Sequence, residues 1–82
     1  MNTGELPEFI IRIINTNDFL APAENIRVRT INPESAANMT IDIYEEITGA
    51  DIGEPVLLRR EKFIDIFLTE QGYFLEIISC KK

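Results

Sequence analysis

The stretch from Lys62 to Cys80 constrains this chain most, because two apolar runs flank Thr69-Glu70-Gln71-Gly72, a strong turn signal. Thr69 suits the first position of a type I turn, and Gly72 the left-handed residue that forms a G1 bulge and sets the register. That register predicts a hairpin with Leu68 opposite Phe74, Phe67 opposite Leu75, Ile66 opposite Glu76, Asp65 opposite Ile77 and Ile64 opposite Ile78. Side chains alternate along a strand, so one face carries Ile64, Ile66, Leu68, Phe74 and Ile78. The other carries Phe63, Phe67, Tyr73, Leu75 and Ile77.

Both faces are apolar, whereas a hairpin on the outside of a monomeric sandwich has one polar face. A helix, a loop such as Phe19-Leu20-Ala21-Pro22, or a second copy of the chain must cover the second face. Phe63, Phe67, Tyr73, Leu75 and Ile77 are accordingly the candidate interface. The run Phe9 to Ile14 shows the same excess, with Ile10 and Ile14 opposite Phe9, Ile11 and Ile13, and reads as a first strand.

Between these ends the chain is punctuated by turn residues. Asn15-Thr16-Asn17-Asp18 opens a loop to about Asn25, because Asn and Asp side chains satisfy nearby backbone groups. From Ile26 to Ile31 the residues alternate cleanly, with Ile26, Val28 and Thr30 on one face and Arg27 and Arg29 on the other. The segment after Asn32 is ambiguous. Asn32 fits a helix N-cap, Pro33 a first helical position and Gly49 a terminator. Yet Met39, Ile41, Ile43 and Ile47 share one strand face while Thr40, Asp42 and Glu46 share the other, which favours a strand from about Met39 to Ile47. In that reading Arg27 and Arg29 form a ladder with Asp42 and Glu46. A two-glycine loop from Thr48 to Pro55 follows, then a short strand Val56-Leu57-Leu58 and the charged turn Arg59 to Lys62.

A chain of 82 residues supports one core, and its 45 % hydrophobic content is that of a globular protein. We expect a flexible N-terminal arm over residues 1–7 and a single β-rich domain over 8–82. The expected architecture is all-β: a small antiparallel β-sandwich, immunoglobulin-like or transthyretin-like in size and rhythm, of six or seven short strands. The alternative is an α+β fold with a helix at about 33–48 covering the second face of the hairpin sheet.

The absence of His removes the commonest general base and metal ligand, and no spacing of Ser, Lys, Tyr or carboxylates marks an activated group. The expectation is a protein that is no enzyme, with no catalytic residue, metal or cofactor. Asn15 to Asp18, and Asp51 with Glu54, Glu45 and Glu46, are oxygen-rich, but the EF-hand spacing is missing and turn chemistry and solubility explain them. The net charge of −6 repels phosphate backbones and anionic membranes. Cys80 beside Lys81 and Lys82 reads either as a reactive thiol or, more simply, as a small apolar residue closing the last strand. Its solitude, with no signal-peptide pattern at the N-terminus, points to a reducing, cytoplasmic setting.

What remains is a non-catalytic interaction or assembly module, an accessory subunit of a larger particle such as a phage or secretion apparatus, acting through a protein partner or as a homo-oligomer. The alternative is a small acidic inhibitor whose carboxylates imitate nucleic-acid charge and block a basic partner. Against it, Arg12, Arg27, Arg29, Arg59 and Arg60 interrupt the acidic surface.

Overall fold

In the computed structural model, residues 5–18, 20 and 23–80 are described. They form strands β1 (Glu8–Asn15) and β2 (Glu24–Arg29), helix α1 (Pro33–Thr48), and strands β3 (Pro55–Arg60), β4 (Ile64–Thr69) and β5 (Tyr73–Cys80). The five strands make one antiparallel sheet in the order β2-β1-β5-β4-β3. The two-sheet sandwich expected from the alternation is therefore replaced by one sheet with one helix on one face. The first and last strands meet at its centre, where β1 pairs with β5 along its whole length, from Glu8 opposite Cys80 to Asn15 opposite Tyr73.

The topology explains why a helix occupies residues 33–48. After β2 the chain stands at one edge of the sheet, and β3 begins at the other. Four strand spacings of about 4.8 Å separate these edges, roughly 19 Å, and sixteen helical residues at about 1.5 Å each span roughly 24 Å. The helix carries the chain across, and its local signals are strong. Asn32 Oδ1 accepts the Ser35 N–H at 2.8 Å, Pro33 fills the first turn, and Gly49 adopts φ 76° while donating to the Glu45 carbonyl at 2.8 Å.

The expected strand over Met39–Ile47 is thus corrected to helix. Its period-2 pattern was real but subordinate: the residues that face the sheet are Ala36, Ala37, Thr40 and Ile41, with Tyr44 packed beside them, which is helical spacing. Two alanines let the helix backbone approach closely. The ladder of Arg27 and Arg29 with Asp42 and Glu46 disappears with the strand; both arginines instead pair with Glu8, at 2.9 and 3.7 Å.

The core lies between α1 and the sheet. Phe9, Ile11, Ile13, Val28, Phe67, Leu75 and Ile77 rise from the sheet to meet Ala36, Ala37 and Ile41, and Ile52 from the loop after the helix closes the end. Fully burying such a side chain contributes about 1.5–3 kcal/mol. The hairpin behaves as its turn dictates: Gly72 has φ 86°, its N–H donates to the Thr69 carbonyl at 3.1 Å, and all five expected pairings are present. The β1–β2 loop is tied to this turn, since Thr16 donates through both N–H and Oγ1 to the Gly72 carbonyl, at 3.0 and 2.6 Å. Asn15 and Asp18 accept from the backbone of Asn17 and Leu20, the local chemistry expected of them.

Other boundaries shift modestly. The second strand starts at Glu24 rather than Ile26 and ends at Arg29, and β3 runs on through Arg60, with a register shift between Leu57 and Arg59. The loop segment Phe19-Leu20-Ala21-Pro22, apart from Leu20, the first four residues of the arm, and Lys81-Lys82 lie outside the described residues. No helix among the described residues is long and apolar enough to cross a membrane.

Candidate functional site

Alternation places the even-numbered residues of β1, β5 and β4 on the face opposite α1. Adjacent strands align them into rows. One row reads Arg27, Ile10, Ile78, Ile64; the next Asn25, Arg12, Glu76, Ile66, Arg59; the third Ile14, Phe74, Leu68, Val56. Among the described elements α1 is the one helix, and it packs on the opposite face, so that no described element covers this face. Ile64 and Val56 are exposed at its margin, while Ile10, Ile14, Ile66, Leu68, Phe74 and Ile78 are half-buried.

Eight apolar side chains thus surround a single ion pair, Arg12 Nη1 to Glu76 Oε1 at 3.9 Å, with the Arg12 side chain half exposed. Four strands and three rows cover a flat area on the order of 400 Å², comparable to the largest patches found on monomeric proteins, which are often functional. The rim toward β2 is polar: Glu8 bridges Arg27 and Arg29.

The expected interface set lies elsewhere. Phe67, Leu75 and Ile77 are 3 %, 0 % and 1 % exposed, within the core under α1. Tyr73 is half-buried there, its ring edge-on to Tyr44 with centroids 5.8 Å apart. Phe63 stands apart before β4, exposed, with Lys62 Nζ 5.6 Å from its ring centre. The covering layer demanded by that face is α1, so a partner would have to displace the helix to reach Phe67, Leu75 or Ile77. The surface left for a partner is the companion set Ile64, Ile66, Leu68, Phe74 and Ile78, joined by Ile10, Ile14 and Val56. Both sets are visible in the sequence as apolar alternation; nothing in the hairpin itself says which one the helix takes.

Charge is segregated around this frame. Arg12, Arg27, Arg29 and Arg59 belong to the open face, whereas Asp42, Glu45, Asp51, Glu54 and Glu70 line a cavity of about 280 Å³ between the outer side of α1 and the turns below it. Two of these carboxylates already accept backbone N–H groups, Glu45 from Ile52 at 2.9 Å and Glu70 from Glu54 at 3.4 Å. No group of three potential metal ligands converges among the described residues.

A third polar cluster is architectural. Arg60 donates from Nε and Nη2 to the buried Asp65 Oδ2, at 3.1 and 2.8 Å, and from Nη2 to Glu34 at 2.6 Å, joining β3 and β4 to the first turn of α1. Hydrogen bonding from Arg60 lowers the Glu34 carboxyl below its ordinary range, and the two carboxylates raise the Arg60 guanidinium. Burial beside Tyr73 pushes the Tyr44 phenol up. Cys80 is half-buried at the margin of a shallow groove with Glu5, Leu6, Pro7, Glu8 and Arg29.

The chain matches no family model, no curated protein and no solved structure in the comparisons made. The functional reading therefore rests on the open face.

Proposed function

We propose that this chain is a non-catalytic protein-docking or assembly module that binds through the open face of its sheet, as an accessory or structural subunit of a larger particle such as a phage or secretion apparatus. The observation that carries this reading is the apolar field of Ile10, Ile14, Ile64, Ile66, Leu68, Phe74, Ile78 and Val56, which no described element covers and which has the composition of a core. Leaving it in water forgoes about 25 cal/mol for each Å² that a partner would cover. A chain without His suits binding better than acid–base chemistry, and one lone cysteine suits a reducing, cytoplasmic setting.

Affinity capture from the source organism's lysate, with the wild type beside Phe74→Asp, tests this reading. Proteins retained by the wild type should be lost from the variant while its far-UV circular dichroism is unchanged. An identical set retained by the folded variant would sink the docking-face reading.

A second reading, the acidic inhibitor, is favoured by the segregation of charge. With the open-face arginines on the opposite side, Asp42, Glu45, Asp51, Glu54 and Glu70 make an acidic side less interrupted than the linear sequence implies. That reading requires salt-sensitive binding to a basic protein, abolished by Asp42→Lys and indifferent to Phe74→Asp.

A further inference from the structure

Resting on the docking reading, we infer that the occupant of the open face is a second copy of the chain, packed sheet to sheet about a twofold axis that runs along the strands between β1 and β5. The register dictates this placement. Because β1 and β5 are antiparallel neighbours with Ile10, Arg12 and Ile14 directly opposite Ile78, Glu76 and Phe74, such an axis lays each residue of one set over its counterpart from the other copy. Ile10 meets the partner's Ile78, Ile14 meets the partner's Phe74, and Arg12 meets the partner's Glu76. The isoleucine and phenylalanine pairs of β1 and β5 cover one another and the central charges pair reciprocally, while Ile64 and Ile66 lie over the partner's Arg27 and the partner's Asn25 at the margin.

Three observations favour a second copy over an unrelated protein. The field is self-complementary in charge, with one Arg and one Glu at its centre. The 3.9 Å separation of that pair and the half-exposed Arg12 leave both groups with capacity for a further partner. The rest of the surface discourages self-contact: a chain of net charge −6, with its carboxylates concentrated about α1 and the loop after it, repels its own copy at that side. The area, on the order of 400 Å² per copy and so about 800 Å² in total, lies below the roughly 1,200–2,000 Å² of stable specific interfaces. The dimer is accordingly a reversible one, with helices outside and two sheets within.

The test is a charge-swap mixing experiment read by sedimentation or light scattering. Wild type at high micromolar concentration should run at twice the 9.4 kDa chain mass. Arg12→Glu and Glu76→Arg, each alone, place like charges over one another and should run as monomers. Mixed in equal amounts they restore both opposite-charge contacts and should recover the dimer mass. Ile78→Asp should be monomeric and should not be rescued by either. A wild type that stays monomeric at hundreds of micromolar overturns the inference, as does a mixture of folded variants that never exceeds monomer mass. Capture of another protein by a monomeric wild type, sensitive to Phe74→Asp, would leave the docking face standing while removing the second copy as its occupant.

Discussion

Thr40 is fully buried against the sheet, yet its hydroxyl has no hydrogen-bond partner. A buried unsatisfied polar group costs about 1–3 kcal/mol, and valine keeps nearly the same shape without the hydroxyl. Thr40→Val should therefore raise stability by about 1 kcal/mol, seen as a higher urea midpoint at unchanged slope. An unchanged or lower midpoint would mean that the hydroxyl is satisfied in solution. Single residues were also where the sequence was most readable. Gly72 and Asn32 have conformational requirements that few other residues meet, so the turn and the cap could be assigned without knowing the rest of the fold. Thr40 could not be: its place in a polar strand face with Asp42 and Glu46 concealed that it points inward once the segment is helical.

At the scale of elements, the strands were legible and the helix was contested. Strand alternation depends only on neighbours, and the turn carries the hairpin register, which is why every pairing from Leu68–Phe74 to Ile64–Ile78 followed from the turn alone. Residues 33–48 present two periodicities at once, because Met39, Ile41, Ile43 and Ile47 satisfy period 2 while Ala36, Ala37, Thr40, Ile41 and Tyr44 satisfy period 3.6. The deciding forces lie outside the segment, in the need to cross the sheet and to cover Phe67, Leu75 and Ile77. Local capping still contributes: Asn32→Ala removes the acceptor for the Ser35 N–H and should cost about 1 kcal/mol by chemical denaturation, while Asn32→Ser should cost far less. Equal losses from both would show that the cap plays no part in holding the helix.

For the molecule as a whole, a chain this short has one core, and among the described residues a single helix lies over one face of the sheet. The hairpin's two apolar faces are the sequence-level trace of that asymmetry, but only the tertiary arrangement says that one is interior and the other open. The expected interface residues Phe67, Leu75 and Ile77 accordingly become core, and their neighbours one position away become the proposed binding surface. Sandwich architecture is absent within the described chain, although two open faces brought together would create one between copies. The central claim is the division of labour between adjacent residues, and urea unfolding of Ile66→Lys beside Phe67→Lys addresses it most directly. Ile66→Lys should fold and unfold within about 1 kcal/mol of wild type, whereas Phe67→Lys, which buries an unpaired charge under α1, should lose at least about 3–5 kcal/mol or fail to fold. Comparable stability of the two variants, or the reverse order, would contradict the account.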